Sequence, residues 1–150
     1  MLNRSTFYAI ISVRYLKRNG DIMTKREARI LAMQILYLYD FNEIEIDDAI
    51  SSVMEEPNEM VTSLVMNAYK HLYKVDEIIR TSIVNYNINR LNLVDKAIIR
   101  LAVSEMLTDT PRQIIINEAL EITKEFSDQG DHKATSFNNS LLDKINKILK

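Results

Sequence analysis

The stretch LVDKAIIRLAVSEM, Leu93 to Met106, decides the fold. At about 100° per residue, Val94, Ile98, Ile99, Leu101, Ala102, Val103 and Met106 spread over more than half of a helix's circumference. Lys96, Arg100, Ser104 and Thr108 fall on one polar line. A helix apolar over so wide an arc must be wrapped by others. Asn92 is placed as its N-cap, with Asp95 at N3, where a carboxylate suits the free N–H groups and the positive end of the helix dipole. Glu105 breaks the pattern, because it falls inside the apolar arc between Ile98 and Leu101. Burying that charge uncompensated costs on the order of several kcal/mol, so a cation or backbone N–H groups from a neighbouring helix are expected there.

Outward from this helix, composition sets the class. A chain of 150 residues is long enough for one domain with a proper core. Two glycines, two prolines and no tryptophan leave few turn residues for an all-β fold, so the expectation is all-α. The absence of cysteine excludes disulfides and thiolate metal sites and fits a reducing, cytoplasmic compartment. No apolar run reaches the roughly 18 residues that a membrane span needs.

The net charge of −2 hides a segregation along the chain. Up to Arg29 the basic residues Arg4, Arg14, Lys17, Arg18, Lys25, Arg26 and Arg29 face only Asp21 and Glu27. From Asp40 to Glu59 every charged side chain is acidic. An anion-binding end beside an acidic face is compatible with this asymmetry, and so are ordinary solvated surfaces.

Residues 1–22 read as an N-terminal extension, poorly ordered or a mis-assigned start: FYAIISV, Phe7 to Val13, is apolar but lacks a small-residue cleavage site. The domain is expected over 23–150. Thr24 to Glu27 forms a T-x-x-E capping box ahead of a helix from about Lys25 to Phe41. A short acidic helix, about Ile46 to Glu55, stops before Pro57. Asn58 caps a long helix in which Val61, Leu64, Val65, Ala68, Leu72, Val75 and Ile79 keep helical spacing, with a kink or break expected before Tyr86. After Pro111 the β-branched run Ile114 to Ile116 is expected to be extended, with a helix from about Asn117 to Phe126. Ser127 to Ala134 reads as an exposed loop, and Thr135 or Ser136 as the cap of a last helix with the stripe Phe137, Leu141, Leu142, Ile145 and Leu149. The sum is a compact bundle of about six to seven helices in two small subdomains divided near Tyr86.

Catalytic chemistry is thin. There is no cysteine nucleophile, glycine-rich phosphate loop or H-E-x-x-H pair, and His71 and His132 stand far apart in sequence. Asp128, Asp131 and His132 match no strong metal-ligand spacing. The expectation is a non-enzyme without metal or cofactor.

Four segments in order carry a resemblance. They are AR-x-x-A-x-Q-x-LY at Ala28, Arg29, Ala32, Gln34, Leu36 and Tyr37, then VDKAIIRLAVSEM from Val94, INEALEITKEF from Ile116, and FNNSLLDKI from Phe137. Together, from Met23 to about Lys147, the chain resembles the NusB family of transcription antitermination factors. The resemblance implies a helical fold, no catalysis, and binding of boxA-type single-stranded RNA of ribosomal RNA leaders. It implies NusE, a small-subunit ribosomal protein, as heterodimer partner within an antitermination complex on RNA polymerase. A homodimer of the free protein stays open.

On that resemblance the RNA-binding residues are Lys25, Arg26, Arg29, Tyr86, Arg90, Phe126, Asp131, Lys133 and Phe137, and the partner-binding residues Tyr37 and Asp95. The chemistry is apt, since helix-terminal cations suit phosphate and aromatic faces suit unstacked bases. Each of the three RNA-facing aromatics also has a reading as plain core or surface, and Arg90 and Lys133 as solvated charge. Two departures stand out: Glu27 sits inside the basic cluster, and the family's F-V-N-G is Phe137, Asn138, Asn139, Ser140 here. The alternatives are a NusB-fold interaction module without specific RNA recognition and, third, the NusB-like domain of an RNA cytosine methyltransferase, for which the 150 residues leave no catalytic domain.

Overall fold

The computed structural model describes residues 22–83 and 87–149. Seven α-helices are described: α1 Lys25–Asn42, α2 Ile46–Val53, α3 Glu59–Lys70, α4 Leu72–Ser82, α5 Leu93–Met106, α6 Arg112–Phe126 and α7 Lys133–Ile148. A single 3₁₀ turn, Ile88–Arg90, precedes α5. The described residues contain no strand, as the scarcity of turn residues predicts. Neither Tyr86 nor residues 1–21 lie within the described residues.

Local capping works as the sequence predicts. Thr24 Oγ1 accepts from Glu27 N while Glu27 Oε1 accepts from Thr24 N, closing the capping box. Asn58 caps α3 by accepting from Val61 N, and Asn92 caps α5 by accepting from Val94 N.

The wide apolar arc of α5 puts that helix at the centre. It packs against α1, α3, α4, α6 and α7, and a single core joins the groups on either side of residues 84–86. Within the helix its polar line does not face water; Thr108, beyond the helix end, is exposed. Lys96 Nζ lies 3.2 Å from Asp40 of α1, and Arg100 forks onto Asp76 of α4 at 2.8 and 2.9 Å. Ser104 is fully buried, and its carbonyl accepts from Asn67 of α3 at 2.9 Å. The four-residue spacing therefore marks a buried ionic seam, in which each cation meets a carboxylate.

Three boundaries differ from the sequence reading, each for a physical reason. The long helix is two helices, broken at His71, whose φ of −106° and ψ of 16° leave the helical region. The His71 ring replaces its own backbone N–H on the Asn67 carbonyl: Nδ1 donates to Asn67 O at 2.8 Å, while the His71 N–H turns to Tyr69 O. Helix α6 starts at Arg112, directly after Pro111, with no extended run. Helical β-branched residues cost a few tenths of a kcal/mol each, whereas burying Ile115 and Ile116 contributes roughly 1.5–3 kcal/mol apiece, so packing decides. Helix α7 begins at Lys133 rather than after Thr135 or Ser136, and carboxylates of the preceding loop cap it.

Candidate nucleic-acid interface

Two cationic ends flank α5. At the first, α1 opens with Lys25 and Arg26, both exposed. The Arg26 guanidinium forks onto Glu118 of α6, with Nε at 2.6 Å and Nη2 at 3.2 Å, and half of the side chain stays exposed. Glu118, with Glu121 and Glu125 on the same helix, holds Arg26 even more firmly protonated. Two of its nitrogens are thus engaged by Glu118. Glu27 spends its carboxylate on the capping box, so its charge lies against the helix start.

Arg29 does not belong to this surface. It is 4% exposed and pairs with Glu105, Nε to Oε2 at 2.9 Å and Nη2 to Oε1 at 3.0 Å. The cation expected for Glu105 is therefore Arg29, and the reading of Arg29 as a phosphate contact is corrected. The cause is that α1 is buried all round from Ala28 to Leu38, so its fifth residue, Arg29, points inward. A cavity of about 10 Å³ beside the pair, lined by Met33, Ile98, Ala102 and Ile115, has room for about one water and no substrate.

At the second end, the α6–α7 loop is organised by Asp128. Its Oδ1 accepts from Gly130 N at 2.8 Å and His132 N at 3.1 Å, and its Oδ2 from Thr135 Oγ1 at 2.6 Å and Thr135 N at 3.3 Å. The bond from the Thr135 hydroxyl, helped by these N–H groups, lowers the Asp128 carboxyl to about 2. Gly130 has φ +90°, a conformation that strains any residue with a Cβ. Asp131, exposed in the loop, accepts from Lys133 N at 3.1 Å and so caps α7. Carboxylates of the protein itself hold these N–H groups of α7, and the exposed cation at this end is Lys133, with Phe137, 38% exposed, one turn on.

Asn138, the departure beside Phe137, is fully buried. Its Nδ2 donates to Asp95 Oδ1 at 3.1 Å and Thr123 Oγ1 at 3.0 Å, and Ser127 Oγ donates to the same Asp95 oxygen at 2.6 Å. A polar network thus replaces an apolar contact and ties α5, α6 and α7 together. Burial raises the Asp95 carboxyl above its usual range, against the pull of the Ser127 and Asn138 bonds. Asp95 is 9% exposed, and its carboxylate, in the first turn of α5, serves this network.

Phe126 is corrected as well. It is 3% exposed, a core residue at the end of α6, and offers no face for a base. Tyr37 is buried and stacks on Phe41 with ring centroids 5.8 Å apart, and Phe41 is 37% exposed. Arg90 is exposed in the 3₁₀ turn. The structure thus groups Lys25 with Arg26 at one end and Lys133 with Phe137 at the other. Glu118 and Asp128 were missed in the sequence. Their signals were an acidic residue in the INEALE motif and an aspartate before a glycine.

Residues 26–147 match the NusB family. The chain belongs to the NusB family. The transcription antitermination protein NusB of Listeria innocua is 37% identical over 126 residues, which span 82% of this chain and 96% of that one. NusB of Bacillus velezensis is 38% identical over 127 residues, with 82% and 95% covered. Among solved structures, one of antitermination factors NusB and NusE in complex with double-stranded RNA has a chain with a TM-score of 0.72. That chain is 26% identical, with 82% of this chain and 96% of that chain covered. NusB proteins are antitermination factors, not enzymes. Among the described residues no three histidine, cysteine or acidic side chains cluster as metal ligands, and no helix is long and apolar enough to cross a membrane.

Proposed function

We propose that this protein is an antitermination factor that binds boxA-type single-stranded RNA of ribosomal RNA leaders as a heterodimer with NusE, within an antitermination complex on RNA polymerase. The observation that carries the reading is the match, over most of the domain, to the NusB chain of a complex with NusE and RNA, joined to exposed Lys25, Lys133 and Phe137. Lysines neutralise phosphates and an exposed ring stacks on a splayed base, as single-stranded RNA requires. Arg26, Arg90 and Tyr86 are proposed as additional contacts. The NusE surface is proposed where Phe41 carries the Tyr37 stack to the exterior, with Asp95 supporting the fold from inside.

A second reading has an observation of its own. Arg29 and Phe126 are buried and Arg26 is paired to Glu118, which trims the RNA surface and favours an interaction module that keeps NusE but not sequence-specific RNA binding. Titration of labelled boxA and scrambled RNA, each with and without NusE, separates the two. Preferential boxA binding is expected, strengthened by NusE. Equal binding of both RNAs with NusE present overturns the first reading in favour of the second.

A further inference from the structure

The joint between α3 and α4 carries a surface that the interface above does not use. From Met60 to Val75 the chain has no acidic side chain, and Lys70, His71, Tyr73 and Lys74 are all exposed there, Tyr73 to 81%. Among the described residues neither Lys70 nor Lys74 enters an ion pair, whereas the next charges along α4 are all paired: buried Asp76 with Arg100 at 2.8 Å, and exposed Glu77 with Arg80 at 2.9 Å. The His71 break separates Lys70, at the end of α3, from Tyr73 and Lys74 in the first turn of α4. Its location matters. Asn67 bonds to Ser104, next to the Glu105 that holds Arg29, so the joint lies at the end of α5 where α1 also begins with Lys25.

We propose that the α3–α4 joint binds single-stranded nucleic acid, with a base stacked on the Tyr73 ring and phosphates held by Lys70 and Lys74. The proposal rests on the RNA-binding reading and adds a site to it. Charge complementarity selects a polyanion, and the aromatic ring selects one with flat faces to stack. A protein surface needs a contiguous apolar patch, but the exposed side chains nearest Tyr73 in sequence are Lys70, His71 and Lys74, and Leu72 between them is half-buried.

The test is fluorescence anisotropy with a short labelled oligouridylate, using the full chain, with circular dichroism of each variant. Tyr73→Ala is expected to weaken binding about tenfold and Tyr73→Phe to restore most of it, since stacking needs the ring and not the hydroxyl. Lys70→Ala with Lys74→Ala is expected to reduce the slope of log affinity against log salt by about 1.4, the value for two phosphates of a single strand. Unchanged affinity in Tyr73→Ala, while Lys25→Ala and Lys133→Ala weaken binding, overturns this inference alone. Failure of the unaltered protein to bind any single-stranded RNA overturns both it and the RNA-binding reading. Loss in Tyr73→Ala of binding to polyglutamate, with RNA binding intact, overturns it in favour of an acidic protein partner.

Discussion

At the scale of single residues, Arg29 and Glu105 explain each other. A carboxylate inside an apolar arc and an arginine inside a helix buried all round are each untenable alone, and their forked pair satisfies both. Glu105→Ala is therefore expected to cost about 3–5 kcal/mol, because it strands a buried guanidinium. Arg29→Met combined with Glu105→Leu should recover most of that loss, as measured by urea denaturation. A double variant no more stable than the single one would mean that the pair contributes more than its own desolvation. Asp95 makes the opposite case. With its carboxyl raised by burial, the stability linked to its proton is fully present below pH 3.8 and is lost as pH rises through the folded-state value. Once ionised, the buried group is thus a burden. Asp95→Asn keeps an oxygen for Ser127 and Asn138, so we expect an unchanged or higher Tm at pH 7 by calorimetry. Asp95→Ala, which leaves both donors unmatched, should lower it.

At the scale of elements, the start of α7 is set by a loop carboxylate and not by a residue of the helix. Because Asp128 titrates near 2 when folded against 3.8 when free, its contribution is present above pH 3.8 and disappears as pH falls from there toward 2. The amide signals of Gly130 and His132 are expected to titrate with a midpoint of about 2 by NMR, and Asp128→Asn should abolish that transition. A midpoint at 3.8 would mean that the Thr135 bond does not form in solution. This start was not legible in the sequence, whereas those of α1, α3 and α5 were. The caps at Thr24, Asn58 and Asn92 act within three residues, so a local pattern records them. The starts of α6 and α7 and the break at His71 depend on buried isoleucines, a seven-residue reach from Asp128 to Thr135, and a side chain competing with its own backbone. The same divide runs through the candidate site. Lys25 and Lys133 were readable as exposed cations, but the burial of Arg29 and Phe126 is decided by helices distant in sequence.

At the scale of the whole molecule, α5 acts as a strut that keeps two cationic ends apart. Arg29 of α1 meets Glu105 in its last turn, and Asn138 of α7 meets Asp95 in its first, so the two ends stand about 15 Å apart by the rise of an α-helix. The net charge of −2 gives no general attraction for RNA, so binding must come from these local clusters. Sites at that separation, sharing no partner, contribute nearly independently. Lys25→Ala and Lys133→Ala are therefore expected to add in binding free energy within about 0.5 kcal/mol on an RNA long enough to reach both ends. Each should lower the salt slope by about 0.7, one single-strand phosphate. On an RNA too short to bridge α5, the two changes should instead show sub-additive effects, because one end or the other is occupied in any complex. Isothermal titration of the four proteins of the double-mutant cycle with long and short RNA decides it. Strong coupling on the long RNA would mean that the strand engages one compact site, and the strut would then have no part in recognition.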